Sequence, residues 1–570
     1  MDYLGYMGGK DYLNLASEVW LSTEIRPTPS DITQELQQAV QALPSRSLTD
    51  ALVQNFLSVV NYNYNAIYPP TFLEGYTNWW ADRAAKRPLS PEYTCLLLRS
   101  CALSTQAMPS KLRNTLEFEL AEDPTTLPDR FHQAAELLSS NFSPGEKGLI
   151  QIQQLFLVVC WFKNAGRFID SWHAMAKCVR EAQEMKLHLD DSMMEMSEYE
   201  REMRRRMMTI IFVWDWLMSR WLSRPLLVDP VSCTFRDPTL QLESDPENPG
   251  VPSPFTNLTL QSKLIRSVSD SLSRAQRDPS EANVKDLCAR VDRWHADLPP
   301  AWRRDNPDTT FDVRYPYLKW QRILLHGTVA MVEMVPTKPY LTGSASSQSR
   351  ATQQYFRSFA VERALTSLRE AEKAYELMKD LDPRHFYINF VLFDTLTILC
   401  SGMIHDDNKD LPHRSAVLDA IETAMRPLKE ISLCSAPGAT SYQFVLRLAQ
   451  CMPLTPEEQV RWPFHHANKA KRSRRERSPQ PMSTTKSSVE AEEGSPSTLH
   501  STGSGAGSGS GSGSDQNSPP VQVPSLEDFQ EIDFGGIEEL WDWNALNIEN
   551  LDPGSAEEIN FTGFGGSTSN

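Results

Sequence analysis

The chain spells no C-x-x-C pair among its nine cysteines, an odd count that excludes a simple disulfide framework and leaves no cysteine zinc site. Reduced, mostly buried thiols are expected instead. The opening residues MDYLGYMGGKDYL lack a basic region followed by an apolar stretch, so no secretory signal is read there. The glycosylation triplets at Asn141, Asn257 and Asn560 are then chance matches. The longest apolar run, around Leu155 to Phe162, falls far short of the roughly 20 residues that span a bilayer, so no membrane partner is expected. A P-loop and a nucleophile elbow are both lacking, and the glycines of 503–513 alternate with Ser or Ala in low complexity. Phosphate binding therefore has no support. Lys and Arg are missing from Asp515 onward, against twelve Asp and Glu, so the tail carries most of the net charge of -17. The body is near balance, with no basic patch dense enough for a nucleic-acid footprint of its own.

What the 570 residues do contain is helical periodicity. Amphipathic patterns broken by Pro and Gly predict helices over 30–43, 48–61, 91–104, 127–139, 148–163, 167–187, 197–222, 258–277, 280–298, 317–335, 350–381, 385–405 and 413–433. Alternating strand patterns are absent. The expectation is an all-α fold, a large multi-helix regulatory domain followed by a disordered C-terminal tail. Composition divides it into a lead-in segment (1–44), the helical domain (45–452), a basic and then Gly/Ser-rich disordered linker (453–524) and an acidic, aromatic tail (525–570).

One segment combines several signals. In EMRRRMMTIIFVWDWLMSRWLSRP, from Glu202 to Pro225, Met203, Met207, Ile210, Ile211, Trp214, Leu217, Met218 and Trp221 recur at helical spacing. Polar residues stand at fixed offsets along it: Glu202, Arg205, Arg206, Asp215, Ser219, Arg224 and Pro225. This run resembles the middle homology region of fungal zinc-cluster transcription factors, in which an acidic residue and an Arg pair open a helix, an Asp follows and Gly-Arg-Pro closes it. Met208 stands where the family usually has Trp, and Ser223 where it has Gly. Upstream, Trp172, Ala176, Arg180, Ala182, Met185, Leu187, His188 and Asp190 are similar to the family's Ala-x-Arg-x-Ala-x-x-Leu-Gly-Leu-His helix, with Lys186 in place of Gly. Tyr68–Leu73 and the Trp294, Leu298, Pro299 element also follow in family order, so the resemblance covers 52–341.

The resemblance implies a nuclear regulator of RNA polymerase II transcription, not an enzyme, with coactivator or mediator-type partners. A homo- or heterodimer is left open. It also implies zinc, since the family reads DNA through six cysteines holding two ions. Those cysteines are absent here, so no cofactor is expected in this chain. DNA contact is expected through a zinc cluster missing from the N-terminus or through a partner. A regulatory partner that never touches DNA is the neighbouring alternative. Within the helix, a buried pairing of Asp215 with Arg224 or the 204–206 arginines is expected.

Two C-terminal segments point the same way on their own residues. Lys469, Lys471, Arg472, Arg474, Arg475 and Arg477 form a basic cluster suited to an import receptor. Phe529, Phe534, Ile537, Leu540, Trp541 and Trp543 alternate with acids, the composition of an activation domain. Three other candidates are weaker. Asp406, Asp407 and Asp410 spell the D-D-x-x-D that gathers Mg²⁺ in prenyl-diphosphate enzymes, but its second metal motif is missing. His188 reads as a helix-end histidine partnered by backbone. His465 and His466 have no cysteine nearby to complete a zinc site.

Overall fold

Helices begin where the sequence supplies caps. In the computed structural model, which describes residues 34–464 apart from 122, 194, 223, 244–249, 343–348 and 380–385, the first half comprises α1 (Gln34–Ala42), α2 (Arg46–Asn55), α3 (Asn61–Tyr64), α4 (Pro69–Ala84), α5 (Pro91–Gln106), α6 (Ser110–Leu120), α7 (Leu127–Ser139), α8 (Gly148–Asn164) and α9 (Phe168–Glu184). A central helix α10 (Glu198–Trp221) follows, then α11 (Thr256–Arg277), α12 (Glu281–Ala296), α13 (Tyr317–Met334), α14 (Lys338–Leu341), α15 (Arg350–Met378), α16 (Phe386–Ile404), α17 (Arg414–Ser432), α18 (Ala436–Cys451) and α19 (Pro456–Arg461). No strand occurs among the described residues, so the all-α expectation holds. Ser90, Ser197 and Ser349 cap α5, α10 and α15 by accepting backbone N–H groups with their hydroxyls, which satisfies donors the first turn leaves over.

α5 packs on α7 and α8, α8 on α9, and α10 bridges α9 to α11. On the other side α13 lies against α15, and α16 packs against α15, α17 and α18. One contiguous apolar cluster runs through these layers from Leu36 to Trp462, each large side chain contributing about 1.5–3 kcal/mol before entropy is counted. All nine cysteines are free, and burial pushes the thiols of Cys95 and Cys160 up to about 11 and about 12.

Besides the short α3 and α14, four helices were not expected. α4 starts with Pro69-Pro70 and contains Gly75, both poor helix signals. Its glycine is required by close approach, since a Cβ there would lie 2.5 Å from a ring carbon of Tyr93. α6 buries only Leu116, so its periodicity is faint. α18 opens Ala-Pro-Gly, again a breaker signature. α19 lies beyond the boundary placed at 452. It is held by a Thr455/Glu458 capping box and by the Arg414–Glu458 ion pair at 2.8 Å, while buried Trp462 donates to the Ala449 carbonyl at 3.2 Å. At the other end α1 lies inside the segment assigned to the lead-in, yet it packs on α5 and α7 through buried Leu36 and Ala39. The folded body therefore spans at least 34–464 rather than 45–452. The 155–162 run is core of α8, but α16 carries a longer one. Its 18 residues Tyr387–Ile404 are long and apolar enough to cross a membrane by length and composition, and 94% of that window is buried inside the bundle. The basic cluster at 469–477, His465, His466 and the tail from 525 lie outside the described residues.

Candidate functional site

The residues singled out along α10 converge on one task, which is to hold the irregular segment 224–243 that follows it. Glu202, 3% exposed, accepts from the Arg206 Nε at 2.9 Å, the Thr239 backbone N–H at 2.8 Å and hydroxyl at 3.0 Å, and the Leu240 N–H at 3.2 Å. Arg206 lies one turn on and forks onto both oxygens of Glu243, with its guanidinium 5.0 Å over the Phe255 ring. The pair sits at adjacent turns because residues four apart share a helix face. Burial pushes the Glu202 carboxyl up, but the Thr239 N–H and the Arg206 charge outweigh it, so the group ends below its ordinary range.

Arg205 points to the neighbouring face and grips Asp190 with two bonds of 2.8 and 2.9 Å. Asp190 also meets the Arg236 side chain at 3.1 Å and accepts its backbone N–H at 3.3 Å, which ties the short turn Asp190–Met193 between α9 and α10 to the same segment. Two turns further along, Asp215 accepts from the N–H groups of Leu227, at 3.0 Å, and Val228, at 2.8 Å. Ser219 donates to Asp215 at 3.4 Å and to the Pro225 carbonyl at 3.1 Å. Burial raises the Asp215 carboxyl above its ordinary value despite these donors.

The expected partner of Asp215 is therefore wrong. Among the described residues no arginine pairs with it. Arg224 is exposed, its guanidinium 5.9 Å from the Trp172 ring, and its backbone N–H bonds the Ser219 carbonyl at 2.8 Å. A carboxylate with four lone-pair sites is satisfied as well by a turn of backbone as by a cation. Arg180 is exposed and reaches Gln183 on its own helix at 3.0 Å, apart from the cluster. The backbone carbonyl of His188 accepts from Thr234 and Phe235, so it belongs to the clamp, but its Nδ1 is buried without a hydrogen-bond partner. The imidazole is thus not backbone-partnered as expected. Lys186 adopts φ of +59°, the conformation its family glycine would supply, and Ser223 is outside the described residues.

The D-D-x-x-D run does not gather around open space. Asp406, 1% exposed, is met by Arg357 at 3.2 Å and Arg414 at 2.6 Å and accepts the N–H groups of Asp410 and Leu411. Asp410 pairs with Arg357 at 3.0 Å, and Asp407 is exposed. Two guanidiniums occupy the place a cation would take. The cysteines do not fit a zinc cluster either, since no group of three or more His, Cys, Asp or Glu among the described residues is placed to hold a metal.

Reasoning from sequence missed Glu243, Thr239, Arg236, Arg357 and Arg414. The first three sit in a Pro-rich segment without period, where nothing local marks a residue as the partner of a helix.

Known proteins resemble part of this chain in sequence. Residues 53–295 match the family model described as fungal specific transcription factor domain. The chain is 29% identical over 321 residues to a probable transcription factor, sol4, of Alternaria solani, covering 54% of this chain and 55% of that protein. It is 25% identical over 328 residues to transcription factor xilB of Penicillium rubens, covering 53% and 48% respectively. A third relative is the fusarisetin A cluster transcription factor fsa6 of a Fusarium species, 24% identical over 241 residues and covering 41% and 31%. The chain spans about half the length of the curated relatives it matches. No solved structure matches.

Proposed function

We propose, on the premise that residues 53–295 are a fungal specific transcription factor domain, that the chain is a nuclear regulator of RNA polymerase II transcription of the zinc-cluster type, acting as an activator. The observation that carries this reading is the match over 53–295, a stretch that includes the polar residues clamping segment 224–243 onto α10. Such a clamp fixes the shape of the domain, which supports a regulatory rather than a catalytic reading. DNA contact comes from a zinc cluster outside these residues or from a partner. Import is assigned to Lys469–Arg477 and coactivator contact to the aromatic tail from Ser525.

The test separates tethering from DNA reading. Fused to an unrelated DNA-binding domain, residues 1–570 should drive a reporter bearing that domain's site. Alone, they should give no electrophoretic shift that discriminates between duplex sequences at moderate salt. A silent fusion overturns the activator reading, and a site-selective shift overturns the assignment of DNA contact elsewhere.

A further inference from the structure

Between α8, α10, α11 and α13 lies a cavity of about 310 Å³, at the lower end of the roughly 300–1,000 Å³ typical of small-molecule sites. Tyr64, Trp214, Trp221, Trp320 and Tyr387 give it an aromatic wall. Exposed Thr125 and Asp129 at one edge mark its mouth. Three charged side chains line it, and two of them, Arg113 and Lys163, are cations against the single carboxylate of Asp129. The Lys163 ammonium is held 2.9 Å from the Tyr64 hydroxyl, 5.0 Å from the Tyr64 ring centre and 5.1 Å from that of Trp214. Two further lining groups have polar atoms without hydrogen-bond partners: the Oδ1 of Asn257, a residue 6% exposed, and the indole Nε1 of Trp161, 5% exposed. Buried polar atoms are rarely left unbonded, and here one acceptor and one donor border the same space.

We propose that this cavity binds a flat, largely apolar small molecule carrying one anionic group. Lys163 meets the anion, the indoles of Trp214, Trp221 and Trp320 contact the apolar body, and the Asn257 carbonyl receives a donor from the ligand. Trp214 and Trp221 belong to α10, so the ligand touches the helix that holds segment 224–243 through Glu202, Arg206 and Asp215. A ligand that favours the clamped arrangement stabilises it by as much as its affinity differs between clamped and released states. The site rests on the cavity and stands whether or not the chain activates transcription.

Direct binding tests it, with anilinonaphthalene sulfonate as a flat anionic probe and phenylnaphthylamine as its counterpart lacking the sulfonate. The full chain should bind one sulfonate probe per chain, saturably, with quenching of its tryptophan fluorescence. Lys163→Met should weaken the sulfonate probe about tenfold, equivalent to about 1.4 kcal/mol, while leaving the neutral one unchanged. Gln261→Trp, which fills the cavity from α11, should abolish binding of both. Circular dichroism establishes that each variant is folded, and if Gln261→Trp does not fold the Lys163 comparison still decides. Equal weakening of both probes by Lys163→Met, or no weakening of either, overturns the assignment of the anion. Binding of several probes per chain, indifferent to these changes, places the probe on the surface and overturns the site.

Discussion

Lys186 ends α9 in a left-handed conformation, and the chain closes the helix around it with two bonds. The Lys186 N–H donates to the Gln183 carbonyl and the Leu187 N–H to the Ala182 carbonyl, both at 2.9 Å. A side chain in this region costs about 1–2 kcal/mol, and a glycine recovers that less the roughly 0.4–1 kcal/mol of extra freedom it has when unfolded. Lys186→Gly should therefore raise the urea midpoint without changing the slope, by roughly 0.5–1 kcal/mol of stability. Lower stability would mean that the exposed lysine has a contact worth keeping. Asp215 argues the other way, from loss. Asp215→Ala strands the N–H groups of Leu227 and Val228 and should cost about 2–4 kcal/mol, whereas Asp215→Asn keeps one acceptor oxygen and should be mild. Equal losses would show that charge, not acceptance, is what the site uses. The acid limb distinguishes the carboxylates further. Glu202 is held below 4.5, so its stabilisation is present above that pH and disappears as pH falls through its folded value. Asp215 is raised above 3.8, so its ionised form costs stability as pH rises through its folded value. The deficit of Glu202→Gln relative to the parent should accordingly shrink below pH 4.5, while Asp215→Asn should gain on the parent as pH rises toward neutral. Unfolding free energies measured across pH 3 to 7 check both signs.

At the level of elements, α10 shows why some of the structure was readable and some was not. Its apolar stripe and its start at Ser197 are properties of neighbouring residues, so periodicity and capping rules find them. α7 and α13 were legible for the same reason. α4 was not, because Gly75 serves a contact with Tyr93, a helix away. The clamp was half legible: the offsets of Glu202, Arg206 and Asp215 stood out by resemblance, but their partners at 227–243 lie in a segment without period, and Arg224 was matched to the wrong acid. The clamp predicts non-additivity. Arg206→Met leaves Glu202 and Glu243 buried without their shared cation and should cost about 3–5 kcal/mol, while adding Glu243→Gln should cost less than the sum of the two single changes. Limited trypsin cleavage after exposed Arg236 should quicken in Arg206→Met ahead of cuts elsewhere in the body. Additive losses with unchanged cleavage would mean that the loop does not depend on α10.

For the whole molecule, charge is segregated along the chain, and the last test exploits that. The body to 464 pairs its acids internally, as Asp406 and Glu458 do with Arg414, whereas the twelve acids from Asp515 onward have no Lys or Arg among them. Changing Lys471, Arg472, Arg474 and Arg475 to Ala should move a tagged chain from nucleus to cytoplasm, and continued nuclear accumulation would assign import to another segment or a partner. Activation should depend on rings more than on charge. Aromatic anchors dominate small interfaces, with truncation often costing about 2 kcal/mol or more, roughly thirtyfold in affinity, while one exposed charge mainly adjusts the association rate. Residues 525–551 fused to an unrelated DNA-binding domain should activate a reporter, Trp541→Ala with Trp543→Ala should remove most of that output, and Glu539→Gln should be mild. In that outcome the role proposed for the acids is to keep the rings in water until a coactivator groove takes them. A double-tryptophan variant as active as its parent would leave the tail as a solvated acidic end and move activation into the helical body, where α10 and its clamp are the elements to test next.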